Sequence, residues 1–186
     1  MTTIFLVTGN ANKLKEWQAI LPADMPMEAI DLDLPEIQSI DPKEIVADKA
    51  RRAFEAARKP VVVEDVSVAL AKLNGLPGPF VKFFLKALGS EALYILAGGE
   101  DEKATVSCSV AYFDGTTLLT DRADVPGKIV SSRGTDGFGF DATFIPDGFD
   151  LTYAEMTPEQ KNGISHRSRA IKMFIDTFHE HIQRKT

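Results

Sequence analysis

Hydrophobic positions along the chain follow two rhythms, short unbroken runs and three-to-four-residue spacings, which mark buried strands and amphipathic helices. Ile4, Phe5, Leu6 and Val7 predict a buried strand over Thr3–Thr8, ended by a Gly-Asn turn. Leu14, Trp17, Ile20 and Leu21 then recur at helical spacing, predicting a helix over Ala11–Leu21 that stops at Pro22. A weaker strand is predicted over Ala29–Leu34. The next helix has a plausible N-cap at Asp41, Pro42 at its first position and Glu44 three residues after the cap. Val46, Ala50, Ala53, Phe54 and Ala57 form its apolar stripe, and Lys59-Pro60 ends it.

Further on, Val61–Glu64 reads as a short buried strand, and Pro77–Leu88 and Ser90–Ala97 as helices punctuated by glycine. Lys103–Phe113 and Thr117–Val125 flank Asp114-Gly115, a strong hairpin signal. Two shorter strands, Gly127–Val130 and Asp141–Ile145, precede a helix from about Ser165 to Arg184. Ala170, Ile171, Phe174, Ile175, Phe178 and Ile182 fall on one of its faces. Helices interleaved with strands, followed by a hairpin, predict an α/β fold with a sheet of mixed direction.

The 186 residues, 44% of them hydrophobic, read as one domain over 1–186 with no linker. There are 27 acidic and 21 basic side chains, a net charge of −6, which argues against a dedicated nucleic-acid binder. The longest apolar run, Ala92–Ala97, is far short of the ~20 residues that span a bilayer. Met1-Thr2-Thr3-Ile4 lacks the charged start of a signal peptide, so a cytoplasmic protein without membrane partners is expected. Cys108, the one cysteine, falls in a β-like run and is expected to be a buried thiol.

Several segments call for more than packing. Thr8-Gly9-Asn10-Ala11-Asn12-Lys13 leads a strand into a helix N-terminus, where backbone N–H groups and the helix dipole favour an anion. By spacing alone a plain strand–helix turn is the stronger reading. Asp24–Asp48 carries eight carboxylates against one Lys43, most of them solvated; Glu36 stands apart because apolar residues surround it. Glu64-Asp65 ends a Val-rich run, and strand alternation predicts that only one of the two faces a site. Two such carboxylates suit Mg²⁺. Phe138 and Phe140 lie between glycines, so a flat ligand and a simple glycine-rich turn are equally good readings. Ser165 is a candidate N-cap, placing His166 and Arg167 in a first helical turn, and Arg167 continues an apolar stripe. Lys49 lies on the shoulder of the second helix's stripe. His179 and His181 read as surface residues. Together Lys13, Lys49, Lys161 and Arg167, with Glu36, Asp65 and Phe140, suggest a site for a polyanion with a metal and a flat ring.

These residues closely resemble the inosine triphosphate pyrophosphatase family. The matching segments are Thr8–Lys13, Leu34-Pro35-Glu36-Ile37-Gln38, Val63-Glu64-Asp65, Leu76–Lys82, Phe138–Asp141, Thr152–Met156 and Lys161–Arg167, in family order across almost the whole chain. The resemblance implies an elongated two-lobed fold with the active cleft between the lobes, a Mg²⁺ requirement and a homodimer. It implies cleavage of noncanonical purine nucleoside triphosphates (ITP, dITP, XTP) to the monophosphate and pyrophosphate. Thr8, Gly9, Asn10, Ala11, Asn12, Lys13, Lys49 and Lys82 would then contact phosphates. Glu36 and Asp65 would hold the metal, and Asp65 would accept the proton of the attacking water, with Lys49 beside it as the other catalytic group. Phe138, Gly139, Phe140, Asp141, Lys161, His166 and Arg167 would grip the base. Val66 and Ala142 depart from the family's Thr or Ser and Pro, which bears on selectivity rather than on charge. A Maf-like pyrophosphatase for modified nucleotides and an inactive nucleotide sensor are the competing expectations.

Overall fold

The computed structural model describes residues 3–185. Met1 and Thr2, the start of the segment read as leaderless, lie outside the described residues. The fold is mixed α/β, a seven-stranded sheet with flanking helices. Its strands are β1 (Ile4–Val7), β2 (Met27–Ile30), β3 (Val61–Leu70), β4 (Pro77–Gly78), β5 (Glu102–Phe113), β6 (Leu118–Ile129) and β7 (Phe144–Pro146). Their order is β2-β1-β3-β5-β6-β7, with β4 paired to β3. β1 runs parallel to β2 and β3, whereas the β3/β4 and β6/β7 pairs are antiparallel. The helices are α1 (Ala11–Ile20), α2 (Pro42–Ala57), α3 (Val81–Leu88), α4 (Ala92–Ala97), α5 (Pro158–Ile164) and α6 (His166–Lys185). No helix among the described residues is long and apolar enough to cross a membrane.

The chain forms two compact units, each threaded by several segments. The first contains the chain up to Asp65, Cys108–Ala123 and the stretch from Arg167 onward; the second contains Val66–Ser107 and Asp124–His166. In the first unit α2 begins as its sequence predicts. The Asp41 side chain accepts from the Lys43 N–H at 2.9 Å, and Pro42 occupies the first turn, where its missing N–H costs nothing. The small side chains of Ala50 and Ala53 let the helix approach the sheet, packing with Val46 on Val7, Val61, Val63 and Ala111. A second group of side chains in this unit is aromatic: Trp17, Tyr112, Phe174 and Phe178, with Trp17 edge-on to Phe174 at 5.8 Å and Tyr112 edge-on to Phe178 at 5.1 Å. The second unit has its own core, in which Val68, Leu70, Leu93, Val106, Ile129, Phe144 and Tyr153 are essentially inaccessible.

Several boundaries differ from the sequence expectations. β2 begins at Met27 and stops at Ile30, because its pairing with β1 is exhausted when β1 ends at Val7. β3 extends six residues past Glu64, since pairing with β4 holds Val68 and Ala69 in the sheet. Pro77–Gly78 is consequently strand rather than helix, and α3 starts at Val81. α4 starts at Ala92 rather than Ser90. Gly127–Ile129 is the far end of β6, carried on by its register with β7. Asp141–Thr143 is a single 3₁₀ turn before β7. α5, capped by a reciprocal Thr157/Gln160 pair, had no counterpart in the expected elements. Cys108 is fully buried, as expected, while His179 and His181 are half-buried.

Gly127 sits where β6 meets β7, opposite Pro146. A Cβ there would run into the carbonyl oxygen of Ile145 and the ring of Phe144, neither of which is a flexible side-chain end. Gly127→Ala is therefore expected to destabilise the protein by about 1–3 kcal/mol through overpacking, read as a lowered urea midpoint.

Candidate functional site

The first unit gathers seven charged side chains of interest. β1 delivers the chain to Thr8, whose hydroxyl accepts from the Asn10 N–H at 3.1 Å. Asn10 then caps α1, its side-chain oxygen accepting from the N–H groups of Asn12 (2.9 Å) and Lys13 (3.3 Å). The loop's own side chains thus hold three of the amides expected to greet an anion. Gly9 and Ala11 are exposed beside them. Gly9 lies close to Asp31: a Cβ there would stand 2.8 Å from a carboxylate oxygen, so a larger residue would crowd the turn.

From the first turn of α1, Lys13 reaches the carboxylate of Glu64 at 2.9 Å. Glu64 is 2% exposed and accepts several donors at once. Arg167 at the start of α6 bonds it through Nε (3.1 and 3.0 Å to the two oxygens) and through Nη2 (3.0 Å), and the indole N–H of Trp17 donates to Oε2 at 2.7 Å. Arg167, itself 3% exposed, also pairs with Glu16 through Nη1. Burial pushes the Glu64 carboxyl up, but the charges of Arg167 and Lys13 and the hydrogen bonds from Arg167 and Trp17 overcome it and hold the group below the usual carboxylate range. For Arg167, burial likewise favours the neutral form and is overcome, chiefly by Glu64 and then by Glu16.

One strand position on, Asp65 is half-buried. Lys49, on the shoulder of α2, bonds Glu36 at 2.8 Å. Burial lowers the Lys49 pKa and the nearby Lys13 lowers it further, against the opposing pull of Asp65 and Glu64. Those couplings place Lys13, Glu36, Lys49, Glu64 and Asp65 in one electrostatic neighbourhood. Glu64 is not idle on the far face of the strand: it is the anchor of Lys13 and Arg167.

The named groups carry three positive charges (Lys13, Lys49, Arg167) and four negative ones (Glu16, Glu36, Glu64, Asp65). Glu36 and Asp65 offer hard carboxylate oxygens, the donor type that Mg²⁺ takes from proteins one or two at a time. Among the described residues no group of three or more His, Cys, Asp or Glu side chains is placed to hold a metal ion.

The second unit holds the other candidates. Lys161 and Asp141 are both buried and bond at 2.7 Å, and the Phe138 N–H donates to the same Asp141 oxygen at 2.8 Å. Gly137, at φ +84°, lies against the Asp141 side chain where no Cβ fits. The Lys161 ammonium lies 4.9 Å from the centre of the Phe138 ring and 5.7 Å from that of Tyr153. His166 is buried between Tyr153, stacked at 5.9 Å, and Phe140, at 5.8 Å. Phe140 is only 6% exposed, so most of its ring belongs to the core, while Phe138 is half-buried. The Arg133 N–H donates to the carbonyl of Ala142 at 2.9 Å, fastening that segment. Val66 is half-buried against the second unit's core. Gly139 is exposed, as is Lys82, whose ammonium lies over Phe83 at 5.0 Å.

Two neighbours of Lys13 escaped the sequence reading. Glu16 and Trp17 lie three and four residues beyond it, hence on the same helical face. A buried tryptophan also demands a partner for its N–H. Both signals were present, but neither says which acceptor is used.

Glu64→Gln keeps the side chain's shape and removes its charge, leaving Arg167 buried without this carboxylate. A loss of about 3–5 kcal/mol is expected near neutrality. The folded carboxyl is held low, so its contribution is complete above the unfolded value of about 4.3 and fades as the pH falls through the lowered folded value. Urea midpoints of wild type and variant should therefore differ near neutrality and converge only in strong acid; coincident midpoints near neutrality would contradict the assignment.

A model of the Ham1 family matches residues 4–177. Solved structures agree with it. A HAM1 protein from Coxiella burnetii is similar with a TM-score of 0.83 at 27% identity, covering 97% of this chain and 100% of that one. The Ham1 protein of Staphylococcus aureus gives a TM-score of 0.81 at 26% identity over 96% of this chain and 99% of that one. A nucleoside-triphosphatase / dITP/XTP pyrophosphatase from Mycobacterium abscessus gives 0.69 at 25% identity over 92% and 98%. With a family match over nearly its whole length, the chain belongs to the Ham1 family.

Proposed function

We propose that this chain is a nucleoside triphosphate pyrophosphatase that hydrolyses noncanonical purine triphosphates (ITP, dITP and XTP) to the monophosphate and pyrophosphate, with Mg²⁺. The observation that carries the reading is the charge pattern of the first unit: Lys13 and Lys49 stand among carboxylates that outnumber the cations. Alone, that balance would repel a triphosphate, and a divalent ion reverses its sign. A bound Mg²⁺ would supply charge neutralisation and polarisation of a phosphoryl oxygen, with Glu36 and Asp65 as its protein ligands.

The remaining work falls to side chains. Lys13 and Lys49, with the Thr8–Lys13 loop, bind phosphate oxygens, and phosphoryl transfer depends mainly on such positioning and charge. Water adds to the α-phosphorus, its proton passes to an Asp65 carboxylate oxygen, and the bond to the α–β bridging oxygen breaks, releasing pyrophosphate. On the base side, Phe138 offers more ring than Phe140. Donors from His166, Arg167 or backbone N–H groups would favour a 6-keto purine, since adenine brings its own donor and leaves a buried one unpaired. Likeness to the family alone adds a homodimer acting in the cytoplasm.

The direct test is a panel of nucleoside triphosphates with Mg²⁺, following pyrophosphate and orthophosphate separately. Pyrophosphate from ITP, dITP and XTP is expected, with far less from ATP, and Asp65→Asn should lower kcat by about 100-fold or more while retaining the fold. Triphosphate binding without turnover would instead make the protein a sensor.

Lys49 yields a pH prediction. Its lowered pKa means that its charge is lost at a lower pH than in an ordinary lysine, ~10.4. The alkaline fall of kcat/KM should accordingly lie below that value, and Lys49→Arg should displace it upward. An alkaline limb indifferent to that replacement would exclude Lys49 from phosphate binding.

A further inference from the structure

Trp17 looks at first like a core residue, wholly inaccessible and edge-on to Phe174 at 5.8 Å with the planes 66° apart. A buried indole could satisfy its N–H on any nearby carbonyl. Here it chooses Oε2 of Glu64, at 2.7 Å, on the same carboxylate that holds Lys13 at 2.9 Å through Oε1. We propose that Trp17 is a positioning residue for triphosphate capture, its indole N–H fixing Glu64 in the orientation from which that carboxylate holds Lys13 beside the Thr8–Lys13 loop. This rests on the function proposed above and adds to it a residue that touches no substrate.

The argument turns on how Glu64 divides its acceptors. Arg167 is a planar fork, and a carboxylate left alone with such a fork tends to align both oxygens with it. Arg167 Nε straddles the two oxygens, at 3.1 and 3.0 Å, and its Nη2 bonds Oε1 at 3.0 Å; with the indole on Oε2 from one side, Lys13 takes Oε1 alongside the fork. Aromatic packing on Phe174 keeps the indole from turning away. Lys13 and Trp17 lie one turn apart on α1, so the helix sets donor and lysine at a fixed spacing on one carboxylate. Lys13 has three N–H groups and spends one on Glu64; anchored in this way, it has two left for a phosphate.

Trp17 is the only tryptophan, so an analogue introduced for tryptophan changes this position alone. Calorimetry with Mg²⁺ and inorganic tripolyphosphate, which carries no base, compares four full-length proteins. These are wild type, Trp17→Phe, a benzothienylalanine protein (same shape, sulfur in place of N–H) and a 5-fluorotryptophan protein (N–H kept). The two lacking the N–H should bind about three- to tenfold more weakly, the share of a hydrogen bond to a charged group passed on through Glu64, while the fluorinated protein should match wild type. In a Lys13→Met background the benzothienyl replacement should add no further loss. Equal binding by all four, weakening of Trp17→Phe alone, or a full additional loss in the Lys13→Met background would each overturn the proposal. A wild type indifferent to tripolyphosphate would defeat the proposed function as well, and no other outcome touches that reading.

Discussion

A carboxylate and a guanidinium taken fully out of water govern the first unit. Glu64 and Arg167 are 2% and 3% exposed, and an ion buried without a partner costs several kcal/mol. Each must therefore find the other, and in doing so they bind together three pieces of chain: β3 through Glu64, α6 through Arg167, and α1 through Lys13, Glu16 and Trp17. The pairing is not chiefly a source of stability, since well-packed apolar residues often serve as well. Its consequence is orientation. Lys13 cannot sample its rotamers freely while its ammonium is tied to a carboxylate that is itself fixed from several sides.

Lys49 follows the same rule with less burial. It is bonded to Glu36 and coupled to Asp65, so a cation suited to phosphate and two acids suited to a hard metal ion share one neighbourhood. In the second unit the buried Lys161–Asp141 pair holds the Phe138 backbone and places a cation over aromatic faces. In all three places the charges are satisfied within the protein and held in position.

Elements with strong local signals were legible in the sequence. The Asp41-Pro42 start of α2, its Ala-lined stripe and the Asp114-Gly115 hairpin are specified by residues close in the chain. Elements whose ends depend on distant partners were not. β3 runs past its acidic pair only because β4 comes to lie alongside, and β6 continues to Ile129 only because β7 pairs with it. α5 was hidden between a 3₁₀ turn and α6, too short for periodicity to reveal. Among candidate site residues, Glu36, Lys49 and Arg167 stood out because a charge among apolar neighbours is anomalous, and Lys13 because it lies in the first turn of a helix that follows a strand. Phe140 also stood out, and the fold gives most of its ring to the core.

By itself the sequence determined which side chains were available and in what order, and hence the alternation of helix and strand and the family. Only the tertiary structure decided their partners. Glu64 and Arg167 are 103 positions apart, Trp17 and Glu64 are 47, and no local preference reaches that far. Whether a buried acid is a metal ligand, a base or the anchor of a lysine depends on which charges surround it after folding, because desolvation forces every buried charge to be answered by whatever the fold brings near.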